Sequence, residues 1–131
     1  MSVSVANLVV VGINHLSASI SARERLALLP EELPELLASL KAEAQLDELV
    51  ILNTCSRVEF YGSGPNPPLS SARLSAFFAR RGGERVAGQL SVRLGAEAAE
   101  HLFRVAAGLD SWILGESEIL VGPTQLRSVQ F

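Results

Sequence analysis

Two short apolar runs and the interval between them constrain this chain most. Leu49-Val50-Ile51-Leu52 and Val58-Glu59-Phe60-Tyr61 read as β-strands, and only Asn53-Thr54-Cys55-Ser56-Arg57 separates them. Five residues cannot make the crossover that parallel neighbours require, so the two runs form an antiparallel hairpin. That argues against a doubly wound parallel sheet. A dinucleotide fingerprint is missing too: Gly62-Ser63-Gly64 runs into Pro65 and then Pro67-Pro68, which reads as a plain loop and not as the opening of a helix under a pyrophosphate.

The remaining elements follow from periodicity. Asn7 to Ile13 (NLVVVGI) is a continuous apolar run, the pattern of a strand buried on both faces. Ser21 and Glu24 have capping-box spacing ahead of RLALL, and a second helix follows Pro30, with Glu31 and Glu32 placed favourably for its dipole. Leu33, Leu36, Leu37 and Leu40 form its apolar stripe, and Pro34 is tolerated because it lies near the start. Gly62 to Ser70 reads as a loop, Ala72 to Arg80 as a helix carrying Leu74, Phe77 and Phe78, and Gly88 to Leu94 as a half-exposed fourth strand. In the helix from Ala96 to Ala107, Ala99, Leu102, Phe103 and Ala106 share one face, while Glu97, His101 and Arg104 share another, polar or boundary face. The order β, helices, β, β, helix, β, helix predicts an α+β fold: a ferredoxin-like split βαβ sandwich whose four-stranded, mostly antiparallel sheet has helices packed on it.

Composition narrows the function classes. The chain has 131 residues, 48% hydrophobic and 19% charged, enough for one domain with a real core and far from the make-up of a disordered chain. Its net charge of −3 gives no bulk case for nucleic-acid binding. Any such partner must meet a local patch, and Arg73, Arg80, Arg81, Arg85 and Arg93, set against Glu84 alone, supply one candidate. The longest apolar stretches fall well short of the roughly 20 residues of a membrane span, and the amino terminus lacks a basic n-region, so the expected location is cytoplasmic.

One cysteine cannot make an internal disulfide or a cysteine-rich metal site, so Cys55 is either a small buried hydrophobe or a working thiol. Its place at a polar turn favours the thiol, since a reactive cysteine needs nearby positive charge or turn amides, and Arg57 supplies the charge. Of the two histidines, His101 is explained equally well as a partly exposed helix residue beside Glu97, and His15 as a strand-end residue. Their spacing with Cys55 matches no metal site, and no metal is expected.

These residues also occur in a known order. Gly12-Ile13-Asn14-His15, Arg23-Glu24-Arg25-Leu26, Asn53 to Tyr61 (NTCSRVEFY) and His101 to Ser111 (HLFRVAAGLDS) with Leu114-Gly115-Glu116 follow one another as they do in glutamyl-tRNA reductase. The chain resembles that family's N-terminal catalytic domain over residues 8–120. The family converts glutamyl-tRNA to glutamate-1-semialdehyde with NADPH, the first committed step of tetrapyrrole synthesis by the five-carbon route. The resemblance implies that Cys55 attacks the aminoacyl ester and holds glutamate as a thioester. It further implies that Thr54, Arg57 and Ser111 grip the glutamyl group, Arg57 on its side-chain carboxylate, and that His101 positions substrate or transfers a proton. Glu118 falls where the family often has a substrate-contacting Gln, Ser56 where it usually has Asn, and Trp112 where it has a smaller apolar residue.

Residues 1–120 are thus expected to form the catalytic domain. Residues 121–131 form an atypical tail, since Val121-Gly122-Pro123 interrupts the long helix that leads in the family to the NADPH domain and a helical dimerisation domain. NADPH is expected to serve the full-length enzyme, a homodimer coupled to glutamate-1-semialdehyde aminomutase, and this chain alone to show esterase activity. The alternative is a noncatalytic ferredoxin-like module that binds RNA or protein through its arginines. A generic cysteine hydrolase of small esters is a third possibility.

Overall fold

A computed structural model describes residues 4–14, 18–26, 28–54 and 56–107, together with the strand backbones at 117–121 and 126–130. Strand β1 (Leu8–Asn14) is followed by α1 (Ile20–Arg25), α2 (Leu33–Glu43), β2 (Glu48–Asn53), β3 (Arg57–Ser63), α3 (Pro67–Ala87), β4 (Ser91–Leu94), α4 (Ala96–Ala106), β5 (Ser117–Val121) and β6 (Leu126–Gln130). The sheet order is β4-β1-β3-β2-β5-β6, with every neighbouring pair antiparallel. Its first four strands, with β1 and β3 central, are the expected split βαβ arrangement. The sheet is nevertheless two strands wider than the sequence predicts: β5 pairs with β2 through Ile51–Val121 and Leu52–Leu120, and β6 pairs with β5. An edge strand offers unpaired backbone donors and acceptors, and here the hairpin meets those of β2.

Register divides the sheet into two unlike faces. Val9, Val11 and Ile13 of β1, Leu49 and Ile51 of β2, and Val58 and Phe60 of β3 form one apolar core with α1, α2 and α3. Phe60 lies 4.7 Å from Phe78 and 5.5 Å from Phe77, centroid to centroid, the offset range that aromatic pairs favour. The opposite face presents Val10, Gly12 and Asn14 beside Tyr61, Glu59 and Arg57, and α4 packs over it against β1 and β4.

Several boundaries differ from the sequence reading for local reasons. Ser19, not Ser21, caps α1, its Oγ accepting from the Ala22 amide at 3.2 Å. Helix α3 begins inside the expected loop, because Asn66 caps it through the Leu69 amide and Pro67 and Pro68 suit a first turn. It runs past Arg80 to Ala87, broken at Gly83, whose φ of 80° glycine tolerates. Gly88 and Gln89 then close its C-terminal end, which shortens the fourth strand to Ser91–Leu94.

Candidate active site

The β2–β3 turn is organised by Thr54. Its amide donates to the Arg57 carbonyl at 2.8 Å, and its Oγ1 accepts from the amides of Ser56 and Arg57, each at 3.2 Å. Such side-chain bonds to the following backbone define the turn conformation. Asn53 Nδ2 ties the strand end to the Leu28 carbonyl at 3.1 Å, and Ser56 is fully buried. Cys55 itself lies outside the described residues, but its chain neighbours on both sides are held.

From this turn β3 runs through the reverse face, and its alternation puts Arg57, Glu59 and Tyr61 on one side. Glu59 is the centre. Arg57 Nη1 donates to Glu59 Oε1 at 3.1 Å, and the Tyr61 hydroxyl donates to the same oxygen at 2.6 Å. Asn14 Nδ2 donates to Oε2 at 3.3 Å, and His101 Nε2 lies 2.7 Å from Oε2. Arg57 and Glu59 are each 1% exposed and His101 3% exposed. Gly12 makes room for the carboxylate: a Cβ there would meet the Val58 carbonyl oxygen, with Glu59 Cα at 2.6 Å and Cγ at 2.9 Å. Burial alone raises the Glu59 carboxyl, but the His101 hydrogen bond, the Arg57 charge and the Tyr61 hydroxyl outweigh it and bring it down from 4.5 to about 2. The site therefore contains a buried carboxylate ionised at neutral pH, with four polar partners.

His101 requires a correction. The sequence places it on the polar side of its helix, whereas the buried face of α4 is Ala98, His101 and Val105, and Phe103 is 72% exposed. Phe103 and Ala106 point outward and Leu102 only borders the sheet, while His101 turns to a polar spot in the sheet beneath α4. That spot carries Glu59, and a histidine facing that carboxylate is satisfied where a leucine would leave it short of a donor.

Of the other expected residues, Arg57 joins this cluster and Thr54 organises the adjoining turn. Glu118 sits in β5 opposite Val129, its side chain outside the described residues, and Ser111, Trp112 and His15 lie outside them altogether. Sequence reasoning missed Asn14, Glu59 and Tyr61. The signal was available: Arg57, Glu59 and Tyr61 recur with period two in a strand whose other positions are apolar.

The arginine patch is largely committed elsewhere. Arg81 forms two hydrogen bonds with Glu32, at 2.6 and 3.1 Å, Arg80 reaches Glu43 at 3.4 Å, and Arg73 donates to the Glu43 carbonyl at 2.9 Å. Among the described residues no group of three His, Cys, Asp or Glu side chains could hold a metal ion, and no helix is long and apolar enough to cross a membrane.

Known proteins resemble this chain in sequence and fold. A family model described as "Glutamyl-tRNAGlu reductase, N-terminal domain" matches residues 11–129. The glutamyl-tRNA reductase of Sorangium cellulosum (strain So ce56) is 41% identical over 134 residues, covering 86% of this chain and 25% of that protein. That of Stenotrophomonas maltophilia (strain K279a) is 42% identical over 111 residues, covering 85% of this chain and 25% of the relative. The solved structure of glutamyl-tRNA reductase from Methanopyrus kandleri superposes with a TM-score of 0.63 at 32% identity, over 85% of this chain and 25% of that one. This chain spans about a quarter of the length of these relatives. With the match running almost end to end, the chain belongs to the glutamyl-tRNA reductase N-terminal domain family.

Proposed function

We propose that this chain is the glutamyl-tRNA-binding, thioester-forming part of a glutamyl-tRNA reductase, an NADPH-dependent oxidoreductase that makes glutamate-1-semialdehyde for tetrapyrrole synthesis. One observation carries the reading: three motifs far apart in the chain meet at the Glu59 carboxylate, Asn14 from the first, Arg57 and Tyr61 from the second and His101 from the last.

The Cys55 thiolate attacks the carbonyl carbon of the ester joining glutamate to the tRNA 3′ ribose. A C–S bond forms, the C–O bond to the ribose breaks, and the leaving oxygen takes a proton. His101 serves this exchange as positioning group or proton donor, and Arg57, Ser111 and Glu118 take the glutamyl group, with Glu59 already on one Arg57 nitrogen. Thr54 keeps the cysteine turn in shape. NADPH supplies the hydride that reduces a thioester to an aldehyde, and the described residues do not fit it. Among the described residues all neighbouring strands are antiparallel, so these residues form no parallel crevice. The cavity beside Tyr61, lined by Leu8, Val10, Val50, Ala98 and Leu102, holds only about 170 Å³. We assign NADPH binding, homodimerisation and coupling to the aminomutase to the length of the relatives that this chain does not cover.

In this chain alone water takes the place of hydride: it attacks the thioester, the C–S bond breaks, and glutamate leaves with the Cys55 thiol restored. Glutamyl-tRNA mixed with the chain is therefore expected to release glutamate faster than it deacylates spontaneously, and Cys55→Ser to abolish the difference. Equal rates for the two chains would sink the proposal.

A further inference from the structure

We infer that Glu59 is a positioning residue for His101: its carboxylate keeps a hydrogen on Nε2 and so assigns to Nδ1 the proton that the ring exchanges with a reacting group. The inference rests on the proposed part of His101 in glutamyl transfer and adds which nitrogen does the exchange and what fixes it.

Donor and acceptor identities carry the argument. Arg57 Nη1 and Asn14 Nδ2 have no acceptor capacity, so each carboxylate oxygen of Glu59 already receives one donor that cannot reverse. A proton on the carboxyl would sit against the Arg57 guanidinium, out of water at 1% exposure. The carboxylate therefore stays an acceptor at both oxygens, and the ring atom 2.7 Å from Oε2 must donate. The Tyr61 ring stacks on the imidazole at 6.3 Å and 18° while its hydroxyl bonds Oε1, so the residue that completes the carboxylate also limits rotation of the histidine. A buried carboxylate on one imidazole nitrogen selects the tautomer and aims the other nitrogen, the division of labour found in nucleophile–histidine–carboxylate sites.

Two measurements test this. Long-range ¹⁵N NMR of the intact chain at about pH 9, above the ordinary imidazole range, reads which nitrogen of His101 bears hydrogen, with His101→Gln identifying the signal. A fully protonated Nε2 is expected in the wild type and a mixture of tautomers in Glu59→Gln. An unprotonated or tautomer-averaged Nε2 in the wild type overturns the inference, and this reading needs no Glu59 variant to fold. In glutamate release from glutamyl-tRNA, Glu59→Gln is expected to lose tenfold or more, with no further loss when it is added to His101→Gln. An equal loss in both backgrounds means that Glu59 acts independently of His101 and overturns it. Absence of release by the wild type would instead defeat the thioester reading, while the Nε2 measurement still decides where the hydrogen lies.

Discussion

A carboxylate removed from water is tolerated only when its oxygens are filled, and Glu59 receives donors on both. Taking away the carboxylate leaves the Arg57 guanidinium buried without its counter-charge. Glu59→Ala should therefore lower the unfolding free energy by about 3–5 kcal/mol in urea titration at neutral pH. Acid should expose the same group. Its folded carboxyl lies at about 2 against 4.5 for the ordinary group, so the stability it lends is complete above pH 4.5 and is lost as pH falls toward 2. The urea midpoint should drop across that window in the wild type and drop less steeply in Glu59→Gln. At this scale the sequence singled out Arg57, two residues from the cysteine in a compact motif, but not its bond to Glu59, and for the burial of His101 it gave no sign. The partner that buries His101 lies 42 residues away. Helical periodicity reports only the residues of one helix.

Elements transmit this chemistry through their faces. Strand β3 carries apolar Val58 and Phe60 toward the core and Arg57, Glu59 and Tyr61 toward α4. The hairpin of β2 and β3 was readable because five intervening residues admit only one pairing, and the antiparallel register followed. The β5–β6 hairpin was not, because Val121-Gly122-Pro123 reads as a broken helix until the open edge of β2 is known. Gly12 links strand geometry to the site, since β1 approaches β3 closely where the Glu59 side chain leaves its strand. Gly12→Ala should cost about 1–3 kcal/mol by overpacking and should also loosen the His101 tautomer. Gly88→Ala is the control: its Cβ meets nothing closer than the Glu84 carbonyl at 3.6 Å, and thermal unfolding should shift little.

At the scale of the whole molecule the two sheet faces differ in kind. Helices α1, α2 and α3 close one sheet face over an apolar core, and α4 covers the other, where motifs from both halves of the chain converge on one carboxylate. Phe78, fully buried in that core, belongs to stability: Phe78→Ala should lose about 3–5 kcal/mol in urea titration. The arginines at the α3 end of the molecule belong mainly to its surface bonding, so Arg81→Ala should cost no more than about 1 kcal/mol and leave glutamate release unchanged. Covalent loading of Cys55 with glutamate is read by acid quenching of the chain with radiolabelled glutamyl-tRNA. Label is expected to stay with the wild-type protein, to be removed by neutral hydroxylamine as a thioester should be, and to be missing from Cys55→Ser. Label retained by Cys55→Ser, or none on a folded wild-type chain that binds the tRNA, would contradict it.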